Sequence, residues 1–483
     1  MVFSSLFFLY AFLPACLLAY ALCRTLKAQN IVLLVFSLAF YAWGEPKYVL
    51  LLAFMALVDW AVARKVERIQ PKFRRARRRW VILAAVVNLG LIGYFKYASF
   101  VCSIFGGAPE FVKNIILPIG ISFYTFQLLS YVVDVSRGDA SAEKEYWHVL
   151  LYASLFHQCI AGPIVRYKTI SEELFVHREP WRDLPSGILR FSVGLAKKVL
   201  LANVCGEITD ALLISDAEVA VSGVAALEAV PVAGAWLGMF AYMLQIYLDF
   251  SAYSDMAIGL GRMVGLHYME NFEYPYCSSS VSEFWRRWHI SLGTFFRDYV
   301  YIPLGGNRKG PGRTVLNLLV VWALTGLWHG ASWNFVLWGL YFFVFLVLER
   351  FVIGGFFKKF KIPGILYTLV VVYFGWILFR YTDMRSVGAV FRSLIGANGN
   401  AANSFTVTTL FHNRAYLLGV SVLCSTPLLR WVGTKLQKLC TGKHVLDAVF
   451  SVIAYGVIPV GLLLLSTAAL VGSTYNPFMY FQF

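Results

Sequence analysis

The chain has 483 residues, of which 59% are hydrophobic, 17% aromatic and 14% charged, and its formal net charge is +16. A soluble globular domain carries about one quarter charged residues, so that class is excluded. The basic residues fall in short stretches between apolar runs, as they do in cytoplasmic loops, which removes nucleic acid as a partner in spite of the charge.

The expected elements follow in chain order. Residues 2–22 form an apolar first segment with no basic leader and no small-residue cleavage pattern, so a retained span is expected. Apolar runs at 30–43 and 48–63 come next. Arg64, Lys65, Arg68, Lys72, Arg74, Arg75, Arg77, Arg78 and Arg79 then face a single acid, Glu67. This loop reads as cytoplasmic, and counting back three spans puts the N-terminus outside. Residues 80–95 lead out and 115–133 lead back. Residues 146–165 are apolar but reach Gly162-Pro163, which should break the helix into a bent or re-entrant piece. Residues 187–204 carry Arg190, Lys197 and Lys198 within an apolar run. A clear span is expected at 230–250, and Asp249 and Asp255 at its end are expected to cap and to pair with Arg262.

Residues 284–339 follow. Ser280 and Glu283 have capping-box spacing and predict a helix over 283–299. On one continuous helix Trp285 and His289 would share a face. The segment is too charged to span and should lie at the interface or dip into the protein. The loop GGNRKGPGR carries Arg308, Lys309 and Arg313. It reads either as an ordinary positive-inside loop or as a cradle for donor phosphates. An apolar run over 314–328 then reaches His329. Gly326, Gly330, Ala331 and Ser332 around it permit close helix packing. A neutral imidazole there can take a proton from a hydroxyl or can simply bridge helices.

Further apolar runs are expected at 333–348, 364–381, 415–429 and 445–471, with basic turns after the first and third. The C-terminus then falls outside. Eight cysteines, Cys16, Cys23, Cys102, Cys159, Cys205, Cys277, Cys424 and Cys440, lie mostly in apolar segments without a CxxC pair. Neither a disulfide framework nor a metal site is expected. The expected fold class is therefore all-α: one polytopic membrane domain over residues 1–483, with about eleven spans plus re-entrant or interfacial pieces. No GxSxG, Walker A or HExxH motif is present.

Four segments, FWRRWHISLGTFFRDYVYIPLGGNR, WHGASWNF, QCIAGPIVRY and LDFSAYSDMAIGLG, resemble the membrane-bound O-acyltransferase family and, within it, the alginate O-acetylation branch. That resemblance implies a ring of tilted helices around a thinned core. It makes His329 the catalytic histidine and His289 the second signature residue, with Trp285 and Arg286 beside it toward the donor. It implies no bound cofactor, with acetyl-CoA as acyl donor. The expected partners are the lipid bilayer, the acyl-thioester donor and a secreted or membrane-anchored SGNH-type acetyltransferase. The expected location is a bacterial cell membrane, crossed many times, with both termini extracytoplasmic. Phe478-Met479-Tyr480-Phe481-Gln482-Phe483 resembles the acyl-transfer motif that ends the small membrane peptide of the D-alanylation system. Tyr480 is then a candidate acyl relay, and an aromatic interfacial anchor is the other reading. D-alanyl transfer to teichoic acid is the alternative reaction. A polysaccharide or lipid transporter without acyl chemistry is the alternative of another class.

Overall fold

The computed structural model describes residues 1–160, 162–179, 181–473 and 475–478, with backbone alone at 357–359. The described residues are helical throughout, without a strand. Five helices are long and apolar enough to cross a membrane: Leu26–Gly44, Arg74–Ile104, Trp333–Phe356, Lys361–Arg380 and His444–Gly472. Phe405–Cys424 and Leu428–Cys440, bent by 64° between them, can be a sixth. Other expected spans are helices of a different make. Val49–Arg68 carries Asp59, Arg64 and Lys65, and Ile121–Arg137 is only 17 residues long.

The chain forms two compact units. The first comprises 1–192 and 253–270. Here Val49–Arg68 packs against Ile121–Arg137, Arg74–Ile92 and Tyr146–Ser154. Of its two acids, Asp59 and Glu67, the first is fully buried and accepts two hydrogen bonds from Asn88 Nδ2, at 3.0 and 2.8 Å. A buried carboxyl without such donors would cost several kcal/mol (about 2–7). The Tyr146–Ser154 helix ends well before Gly162, because the chain turns at Leu155 and the Phe156 N–H donates to the Ser37 hydroxyl at 3.1 Å.

The second unit comprises 193–252 and 271–483. Its central element is the helix pair Pro311–His329 and Trp333–Leu348, joined by three residues. Glycines set their separation. A Cβ on Gly326 would lie 2.3 Å from the Phe335 carbonyl oxygen, and one on Gly339 would lie 2.3 Å from that of Trp322. Aromatic rings fill the layer beneath. Trp285 sits edge-on to Phe342 at 4.8 Å and to Trp338 at 5.4 Å, and Trp288 lies 4.9 Å from Trp376. Each such pair adds about 0.5–1.5 kcal/mol beyond its burial.

Val232–Met263 runs unbroken for 32 residues, past both of its aspartates. Within the second unit Asp249 pairs with Lys198 at 2.7 Å, and within the first Asp255 pairs with Arg190 at 2.6 Å. The expectation of ion pairing holds, but the partners are these two cations and not Arg262. Arg190 and Lys198 stand 65 and 51 residues upstream of their partners, and sequence distance hid them.

Candidate functional site

The site grows from two helix ends. Helix Val281–Arg287 starts at Ser280, whose hydroxyl accepts from the Glu283 N–H at 3.0 Å. The Glu283 side chain does not close the predicted box on Ser280. It accepts from the N–H and hydroxyl of Ser279, both at 2.8 Å. Burial pushes the Glu283 carboxyl up, but these hydrogen bonds and the charges of Arg287 and Arg286 outweigh it and hold the group below the usual carboxylate range. The buried Glu349 carboxylate accepts from the first helical N–H groups, those of Val281 and Ser282. A carboxylate at a helix N-terminus satisfies orphan donors and complements the dipole.

The single helix expected over 283–299 is two. The first stops at Arg287, and His289 adopts the left-handed conformation, φ 46° and ψ 55°. Trp285 and His289 therefore do not share a helical face. A non-glycine residue there costs about 1–3 kcal/mol, and the compensation is visible. Asn271 is fully buried. Its backbone oxygen accepts from the Ile290 N–H at 3.0 Å. Its side-chain Oδ1 accepts from the Ser291 N–H at 3.1 Å and the Ser291 hydroxyl at 2.9 Å. The same Oδ1 faces His289 Nδ1 at 3.2 Å.

That last contact assigns the tautomer. An amide oxygen cannot donate, so Nδ1 carries the proton and Nε2 keeps its lone pair. Nε2 is buried and has no hydrogen-bond partner among the described residues. The structure thus presents His289 as a neutral base held from behind by Asn271. Sequence reading missed Asn271, which stands eighteen residues upstream in a loop without a motif of its own. Replacing Asn271 by aspartate puts a carboxylate behind the ring and raises its basicity. The acid limb of the kcat/KM profile should then move to higher pH, because protonation of Nε2 occurs sooner as pH falls. Kinetics across pH on Asn271→Asp check this, and an unshifted limb would mean that the protonation state of His289 matters neither to donor binding nor to turnover.

His329 is the last residue of Pro311–His329, and Gly330 beyond it is extended. A Cβ on Gly330 would meet the Phe335 ring at 2.1 Å. The imidazole is buried among rings, edge-on to Trp328 at 4.9 Å, Trp338 at 5.0 Å and Phe379 at 5.1 Å. Trp328 also lies 5.7 Å from the His289 ring, so one indole touches both imidazoles. Both histidines, with Trp285 and Arg286, line one cavity of about 600 Å³. Its other lining includes Thr325, Arg297 and Arg350, none of which sequence reading placed in the site.

Arg308, Lys309 and Arg313 do not line this cavity. Their loop is folded on itself. Arg313 donates to the Leu304 carbonyl at 3.3 and 3.2 Å, and Asn317 Nδ2 donates to that of Gly306 at 2.8 Å. Tyr480 lies outside the described residues, but the segment leading to it is firmly held. Tyr475 donates its phenolic proton to Asp210 at 2.6 Å, and Asn203 Nδ2 donates to the Tyr475 carbonyl at 3.1 Å. Lys198, from its ion pair with Asp249, donates to the Pro477 carbonyl and lies 4.5 Å over the Phe478 ring. Phe478 is buried. Residues 475–478 thus pack within the second unit. No group of three or more metal-ligating side chains occurs among the described residues.

The profile of the membrane-bound O-acyltransferase family matches residues 112–390. The chain is 35% identical to the probable alginate O-acetylase AlgI of Pseudomonas putida over the full length of both. It is 31% identical to the peptidoglycan O-acetyltransferase of Helicobacter pylori, over 83% of this chain and 80% of that one. It is 28% identical to the teichoic acid D-alanyltransferase of Bacillus subtilis, over 49% and 60%. The chain belongs to the membrane-bound O-acyltransferase family and is a multi-pass membrane acyltransferase.

Proposed function

We propose that the protein takes an acetyl group from a cytoplasmic thioester, acetyl-CoA, and passes it across the bilayer for O-acetylation of an extracytoplasmic polysaccharide. It works in a bacterial cell membrane with both termini outside, and a secreted or membrane-anchored SGNH-type acetyltransferase completes delivery to the polymer. The observation that carries this reading is the convergence of His289 and His329 on one cavity. His329 serves as the general base for the hydroxyl that attacks the thioester. His289, with its basic nitrogen fixed by Asn271, orients the donor beside Trp285 and Arg286. The aromatic walls exclude water, which protects a thioester from hydrolysis and strengthens each polar contact.

D-alanyl transfer is the competing reaction, favoured by the likeness to teichoic acid D-alanyltransferases. Membrane vesicles offered acetyl-CoA with a labelled acetyl group, or a carrier protein charged with labelled D-alanine, separate the two. The expected result is label on the far side of the membrane from acetyl-CoA alone. Label from the charged carrier alone would replace acetylation by alanylation.

A further inference from the structure

The second unit holds a larger cavity, of about 800 Å³, that shares no lining residue with the histidine cavity. It is a groove between the helices Val232–Met263, Lys361–Arg380 and Phe405–Cys424. The second of these is long and apolar enough to cross a membrane, and the third can be half of a bent span. Trp236, Phe240, Val370 and Phe411 in its lining are exposed, so the groove opens on the bilayer. Along Val232–Met263 the lining runs from Ala233 to Met243. That is about 15 Å of helix, half the thickness of a hydrocarbon core of about 30 Å. One end is polar and the other is not. Asn403, Thr408 and His412 gather near the start of Phe405–Cys424, close to Ala233, whose N–H donates to the Ala402 carbonyl at 2.9 Å. The end at Met243 is apolar. Among the described residues the lining includes no acid, lysine or arginine.

We propose that this groove seats one phospholipid of the adjoining leaflet, with a chain along the helices and an ethanolamine headgroup at His412. An apolar groove with a few convergent polar groups at one end is a ligand site by shape, and a length of one leaflet with a polar end fits a bilayer lipid. The headgroup follows from the hydrogen bonds at the mouth. Asn403 Nδ2 donates to the Thr408 hydroxyl at 2.9 Å, and Asn403 Oδ1 accepts from the Ser404 N–H at 2.8 Å. The Thr408 hydroxyl donates to the Ser404 carbonyl at 3.1 Å. Both side chains are thus spent on the start of their own helix. His412 Nδ1 lies 2.8 Å from the Thr408 carbonyl. That oxygen cannot donate, so Nδ1 carries a proton, and in the neutral ring Nε2 is an acceptor. The ammonium of ethanolamine supplies the donor. A choline headgroup has no N–H to give, and a glycerol headgroup brings a net negative charge to a groove without lysine or arginine. Such a lipid is a fixed component of the fold and not a reactant in acyl transfer.

Native mass spectrometry of the full-length protein, released from detergent micelles doped with lipid, tests this. The probes are dioleoyl phosphatidylethanolamine, phosphatidylcholine and phosphatidylglycerol, whose chains are identical, so only the headgroup varies. One phosphatidylethanolamine per chain should be retained about 10-fold better than either of the others, as expected for a hydrogen bond from a charged donor. In His412→Ala that preference should fall below about 2-fold, because burial of the chain remains and the acceptor does not. His412→Gln restores an acceptor oxygen and should recover part of it. His412 is exposed, so neither substitution disturbs the core. Equal retention of all three lipids by the wild type would mean bulk lipid only and overturn the site. Phosphatidylglycerol retained best, or a preference for phosphatidylethanolamine unchanged in His412→Ala, overturns it as well. A dimer that carries no phosphatidylethanolamine would give the groove to a second copy of this chain and equally overturn the proposal.

Discussion

His329→Ala should lower acyl transfer by about 10²–10⁴-fold, the usual loss when a general base is removed, while expression and membrane insertion stay unchanged. The packing says why the loss should be confined to chemistry. His329 closes its helix at a residue where the chain must turn extended in any case, and the helix pair is held by Gly326 and Gly339 at its backbone contacts. Alanine keeps the helix end and vacates the space between Trp338 and Phe379. The imidazole is the group nearest these rings that can accept a proton at neutral pH. Single-turnover measurement of acetyl transfer separates this chemical step from donor binding. A rate within a few-fold of wild type would remove His329 from the reaction.

Tyr480→Phe should abolish delivery of acetyl groups to the polymer while sparing donor binding. The segment before Tyr480 is latched by Lys198, Asn203 and Asp210, each within the second unit. The described part of the tail combines burial of Phe478 with three side-chain hydrogen bonds on its backbone and phenol, which fixes its course beyond what an interfacial anchor needs. In the relay we propose, the Tyr480 oxygen attacks the thioester carbonyl as His329 takes the phenolic proton, and the thiolate leaves. The aryl ester then passes its acetyl group to a serine hydroxyl of the partner. Phenylalanine retains the ring and removes only the oxygen. Polymer analysis of Tyr480→Phe cells checks the relay, and normal acetylation would make the tail an anchor.

How much of this was legible in the chain differs from element to element. The 333–348 segment has the bounds read from hydropathy, since a long apolar run ended by charge leaves a helix no other place to stop. His329 was legible because the small residues after it announce a stop. The break at His289 was not. WRRWHIS is a good helical sequence, and the left-handed turn is imposed by Asn271, which lies outside any local window. Glu349 is hidden for the same reason: it caps a helix almost seventy residues upstream. The basic loop stayed open to two readings, because nine residues rich in glycine and cations describe a phosphate cradle and a topology signal equally well. Only the folded chain shows Arg313 turned onto Leu304.

The central claim is that acyl transfer at His329 modifies a surface polymer. Its most direct test is mass spectrometry of surface polysaccharide from cells lacking the gene, complemented with wild type or with His329→Ala. Acetyl esters should be present with wild type and absent from both the deletion and the variant. Equal acetyl content in wild-type and His329→Ala cells would contradict it.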